Sequence, residues 1–214
     1  TRVPFLLVER LPYNFHKTKE IEKRKKLFIK IVLPMALAVN RKIKSYRNTI
    51  LTLSKRQEKL NVAEKEWLTA IANQHNKKIT EIKALLEQLA PVPVSLLLAQ
   101  AAIESGWGTS RFANEGNALF GQWTWKSGSG LIPKNRDPGE KYEVKAYTKL
   151  IKSVWDYAHN LNTHWAYSDF RKARSNLILS GEKKPSILLV KTLKKYSQRG
   201  QSYLELIEGV IKQN

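Results

Sequence analysis

Between Val94 and Ile103 the chain is apolar at every position except Ser95 and Gln100. The run ends on a carboxylate, Glu104, and a Gly106-Trp107-Gly108 turn follows after one serine. A helix that is apolar on every side is a buried helix, so other elements have to cover it all round. An acid at its end is drawn toward low dielectric, which favours the protonated form and raises its pKa. A general acid needs that property to protonate a leaving oxygen near neutral pH. The competing reading is a solvated glutamate at a helix C-terminus, where the macrodipole slightly disfavours it.

With 214 residues, 42% of them hydrophobic, and six tryptophans, the chain can build a substantial core. It carries 38 Lys and Arg against 18 Asp and Glu, a formal charge of +20 spread over both halves. Such a field favours polyanionic surroundings: nucleic acid, anionic lipid or a bacterial wall polymer. No basic tail or nucleic-acid recognition motif accompanies the charge, so specific nucleic-acid binding is not expected. The absence of cysteine removes disulfides, zinc fingers and thiol nucleophiles together. His16, His75, His159 and His164 lack the spacing of a helix-borne metal pair, so neither a metal nor a cofactor is expected. The apolar stretch Leu27–Val39, interrupted by Lys30 and Pro34, is too short to span a bilayer. The chain opens on Thr1, which leaves room for an upstream signal or anchor.

Residues 1–18, with Pro4 and Pro12, read as an extended lead-in. Apolar residues at helical spacing predict a helix from Lys19 to about Leu60, kinked or interrupted at Pro34. Shorter helices are expected at Val62–His75 and Thr80–Leu89, the latter capped by Thr80. Pro91-Val92-Pro93 breaks the chain because proline restricts its predecessor. It divides an N-terminal helical extension, 1–90, from a catalytic part, 91–214. Beyond Trp125, residues 131–136 and 141–147 read as two strands around the Asp137-Pro138-Gly139-Glu140 turn. Helices return at about Ile151–Leu161, Pro185–Tyr196 and Ser202–Lys212. The fold class is therefore α+β, mostly α, with one small β-hairpin.

Two-carboxylate glycosidases need a proton donor and a base or nucleophile at a defined separation. Glu104 is the donor candidate, with Glu140 and then Asp137 on the hairpin tip as candidates for the second acid. Sugar rings stack on aromatic side chains while their hydroxyls meet amides and charges. Candidate substrate contacts are Glu115, Asn117, Phe120, Gln122, Trp123, Trp125 and Tyr147, with Phe120 expected in the core. Tyr196 is placed to return toward the same site.

The block Leu98–Arg111, LAQAAIESGWGTSR, followed by Gly116–Trp123, GNALFGQW, resembles the glucosaminidase domain of bacterial autolysins and the flagellar peptidoglycan hydrolase. The resemblance is closest to the bacterial Bax branch. It extends to Val3-Pro4, to Arg24–Pro34 and to Asn160–His164, and so covers nearly the whole chain. It implies a lysozyme-like helical lobe with a small β-lobe, and cleavage of the β-1,4 bond after N-acetylglucosamine in peptidoglycan. It implies Glu104 as the proton donor and Tyr196 as the tyrosine beside it. The family's second glutamate has no clear match in the shorter hairpin, so either a hairpin carboxylate or the substrate's acetamido group completes the mechanism. The alternatives are a muramidase or lytic transglycosylase using the same acid, and a non-catalytic module that holds wall glycan. Peptidoglycan strands are the expected partner, with a basic surface suited to the wall or membrane. The expected state is a monomer in the bacterial cell envelope, periplasmic or exported.

Overall fold

The computed structural model describes residues 7–182 and 185–214. Val3 and Pro4 of the lead-in lie outside the described residues, as does the stretch immediately before Pro185. Helices run over α1 (Ile21–Ser54), α2 (Val62–Gln74), α3 (Ile82–Gln88), α4 (Val94–Ser105), α5 (Arg111–Gly116), α6 (Leu150–Thr163), α7 (Ser168–Leu179), α8 (Pro185–Val190) and α9 (Gln201–Gln213). A small antiparallel sheet comprises β1 (Trp123–Thr124), β2 (Gly130–Leu131) and β3 (Glu143–Lys145), in the order β1-β3-β2. The protein is α+β and mostly α. No helix among the described residues is long and apolar enough to cross a membrane.

Several local expectations are corrected. Pro34 does not interrupt helix α1, which runs from Ile21 to Ser54. An internal proline removes one helical hydrogen bond, at about 3 kcal/mol. The fully buried stripe Phe28, Val32, Met35 and Val39 offsets that cost. The N-cap of α3 is Glu81, not Thr80, and its side chain makes no capping bond. The hairpin is a three-stranded sheet: Trp123 pairs with Val144 on one side of β3, and Leu131 pairs with Val144 on the other. Of the predicted strand 131–136 only Leu131 is paired. Within the lead-in, Phe15–Lys17 forms a 3-10 turn rather than extended chain. The segment after Pro185 is a short helix continued by a 3-10 turn, Lys191–Leu193.

The chain forms two compact units. The first comprises the described residues up to Val39, together with Val94–Tyr157 and Gly209–Asn214; the second comprises Asn40–Pro93 and Ala158–Glu208.

The second unit has a core of Ile50, Leu53, Leu60, Leu68, Ile71, Leu85 and Leu89. Its distinctive device sits at the diproline break. Pro91 and Pro93 donate nothing, and the carbonyls ending α3 need partners. Asn40 both donates to Val92 O (2.7 Å) and accepts from Val92 N (3.0 Å). Arg174, 1% exposed, donates to Ala90 O (3.0 Å), Glu87 O (3.1 Å) and Asn162 Oδ1 (2.7 Å). Arg47 donates to Leu86 O. The chain thus leaves the diproline break with Val92 and the Glu87 and Ala90 carbonyls all bonded by side chains.

Candidate active site

In the first unit Glu104 is the penultimate residue of α4. The local sequence explains how it is held. Ser105 is buried and donates to Ala101 O (2.6 Å), while its hydroxyl oxygen accepts from Gly108 N (2.9 Å). Trp107 N reaches back to Ala102 O (2.7 Å), and Ser110 N to Ser105 O (2.9 Å). These bonds satisfy the carbonyls at the helix end. They require three successive left-handed residues, Gly106, Trp107 and Gly108, at φ 58, 55 and 77°. Trp107 has a side chain, and its ring packs edge-on to Phe28 at 5.7 Å with Lys25 5.6 Å above it. A Cβ on Gly108 would lie 2.7 Å from the Phe15 ring. Glu104 itself is half-buried, less enclosed than an all-apolar setting implies.

One turn earlier on α4, and so on the same face as Glu104, is Gln100. It is fully buried and accepts from Tyr157 OH at 2.5 Å. Phe120 stacks on Tyr157 at 3.9 Å and is buried at 4% exposure. Beside Tyr157 on α6, Asp156 accepts from Lys145 Nζ and from Tyr147 OH, each at 2.6 Å. Tyr147 OH also lies 2.8 Å from Gln122 Oε1. Burial, and then the adjacent Asp156 carboxylate, push the Tyr147 hydroxyl well above the usual tyrosine range, so it stays a donor. Two expected contacts, Gln122 and Tyr147, are thus brought together beside an acid, Asp156, that the sequence reading did not single out. Lys145, Asp156 and Tyr157 carried no sequence signal beyond their residue types, and Gln100 stood out only as a polar break in an apolar run.

The sheet carries the exposed aromatics. Trp123 is 54% and Trp125 69% exposed, and Tyr142 stacks on Trp123 at 4.5 Å. Glu143 is buried and accepts from Gly128 N (3.0 Å) and Gly130 N (2.8 Å), bonds that hold its carboxyl below the usual range. It fastens the 124–130 loop. Asp137 and Glu140 are exposed on the tip, joined by a turn bond from Glu140 N to Asp137 O (3.2 Å). Glu115 is exposed and pairs with Arg111 (3.2 Å), which also donates to Ile132 O (2.6 Å). Asn117, left-handed at the end of α5, donates to Tyr147 O at 2.8 Å and anchors the strand leaving the sheet.

Tyr196 belongs to the second unit, where it stacks parallel to Tyr203 at 5.7 Å and lies 6.0 Å from Tyr167. The same unit brings His75 and His159 to a ring distance of 5.3 Å. Burial, with a contribution from His159, lowers the His75 pKa to about 4. No group of three or more His, Cys, Asp or Glu that could hold a metal occurs among the described residues.

A family model described as mannosyl-glycoprotein endo-beta-N-acetylglucosaminidase matches residues 80–214. Protein bax of Escherichia coli (strain K12) is 32% identical over 197 residues, which span 89% of this chain and 70% of that protein. No solved structure matches the chain.

Proposed function

The chain belongs to the glucosaminidase family, and from that premise we propose that it is a cell-envelope peptidoglycan hydrolase cleaving the β-1,4 bond after N-acetylglucosamine. Glu104 is the general acid. The observation that carries this reading is its placement: a half-buried carboxylate at the end of a buried helix whose terminus is closed by the Ser105–Ser110 turn. A half-buried position leaves the carboxyl a path to the leaving oxygen, which a general acid requires.

The exposed Trp123–Tyr142 stack and Trp125 offer apolar faces to sugar rings. Gln122 and Tyr147, fixed by Asp156, offer an amide and a hydroxyl for an acetamido group. Glu115, Asn117 and Phe120 act more indirectly, by holding the loop and the floor beneath these groups. Tyr196 is retained as the tyrosine that assists the acid, on the strength of the family resemblance. Glu143 and Asp156 are engaged in bonds within the fold, so two routes complete the reaction. Glu140 activates water, or the substrate acetamido group attacks and no second carboxylate is needed.

The test is digestion of purified peptidoglycan, borohydride reduction and mass spectrometry of the fragments. Reduced N-acetylglucosamine ends are expected from the wild type. Glu104→Gln should lower their release at least a thousandfold with little change in melting temperature. Glu140→Gln tests the first route: a large loss of rate assigns it the base, and an unchanged rate assigns that step to the acetamido group or to another acid, Asp137 being the next candidate. Lysis retained by Glu104→Gln would overturn the assignment of the acid. Muramic or anhydromuramic ends would move the cleaved bond.

A further inference from the structure

Residues 40–67 precede the segment matched by the family model, and nothing in the chemistry above uses them. In the second unit they form a pocket of about 450 Å³ between α1 and the start of α2. Lys42, Ser45, Tyr46 and Thr49 recur on one face of α1, and Asn61 and Trp67 close the pocket from α2. We infer that this pocket is a second glycan-binding site, which takes a pyranose ring of the strand whose bonds the enzyme cleaves. The inference rests on the glycan-hydrolase reading for the identity of its ligand.

The floor is aromatic and fixed. Tyr46 and Trp67 meet edge to face at 5.8 Å, and both pack on the core of the unit. Sugar rings present apolar C–H faces to such surfaces, and preorganised rings bind at low entropic cost. The rim supplies mixed hydrogen-bonding groups. Thr49 Oγ1 donates to Ser45 O at 3.1 Å, so its lone pairs remain as acceptors. Asn61 spends Oδ1 on capping Glu64 N (2.9 Å), which keeps its Nδ2 as a donor. Lys42 Nζ stands 4.7 Å over the Tyr46 ring, a cation suited to the carboxylates of a peptide-bearing wall strand. Glu64, paired with Arg56, also lines the pocket, and an aromatic floor under a hydroxyl, amide, carboxylate and ammonium rim is a composition that suits a saccharide. On a polymeric substrate a second site raises the local concentration of cleavable bonds without touching the chemistry.

The experiment measures two quantities for each protein: co-sedimentation with purified peptidoglycan sacculi, and new reducing ends from soluble chitotetraose. Ser45→Gln/Thr49→Gln fills the rim without altering charge or the core, and Trp67→Leu removes the aromatic floor. Both variants are expected to sediment at least fivefold more weakly, with chitotetraose cleavage within twofold of wild type. Sedimentation of the rim variant within twofold of wild type, at an unchanged melting temperature, overturns the inference while leaving the hydrolase reading intact. A wild type that releases no reducing ends from chitotetraose or from the sacculi, with sedimentation still lost in the rim variant, supports the pocket and removes the enzyme reading instead.

Discussion

His75 illustrates how one side chain acquires a property from distant partners. Its folded pKa, about 4, lies below the ordinary 6.5 because burial disfavours the imidazolium. Between those values the unfolded chain binds more protons than the folded one, so stability falls as pH drops from about 6.5 to about 4. The shift corresponds to on the order of 3 kcal/mol at most. Denaturant melts across this window should show the decline, and His75→Gln should flatten it; an equal slope in both proteins would count against the assignment. Asp156 shows the same dependence on context. In sequence it is one of ten acids in the second half of the chain, and in the structure it fixes Tyr147. Glu104 was legible because its surroundings are its sequence neighbours.

At the scale of elements, the turn after α4 is the most demanding piece of backbone. Gly108 combines φ +77° with a Cβ position 2.7 Å from Phe15. Gly108→Ala is therefore expected to cost about 2 kcal/mol, a loss of several degrees in melting temperature, and to lower lysis through a displaced Glu104. Calorimetry beside a lysis assay checks both. The long amphipathic helices followed from periodicity because their apolar stripes are local in sequence. Helix α7 did not, because its buried face includes Arg171 and Arg174, which a hydrophobic pattern cannot register. Strand β1 was missed for a related reason: two residues carry no period, and only pairing with β3 defines them.

For the whole molecule, the second unit unites residues 40–93 with 158–208. A chain beginning at Pro91 would lack Asn40 and the Glu87 and Ala90 carbonyls that receive Val92 and Arg174. Arg174 would then be a buried cation that has lost its Ala90 and Glu87 acceptors and keeps Asn162 Oδ1 and Pro91 O, a penalty of about 1–3 kcal/mol. Such a chain is expected to be insoluble or to unfold without cooperativity in circular dichroism. A soluble, lytic product would show that 91–214 folds alone.

The sequence by itself determined the α+β class, the buried α4 with its terminal Glu104, the Gly-Trp-Gly turn and the break at Pro91–Pro93. Each is a local pattern whose physics acts within a few residues. Only the tertiary structure decided that Asp156 and Gln122 converge on Tyr147, that Glu143 bonds inward while Glu140 stays in solvent, and that the buried Arg174 closes the diproline break. Those outcomes depend on burial and hydrogen bonding between segments distant along the chain. Residue identity supplies the groups, and only packing supplies their partners.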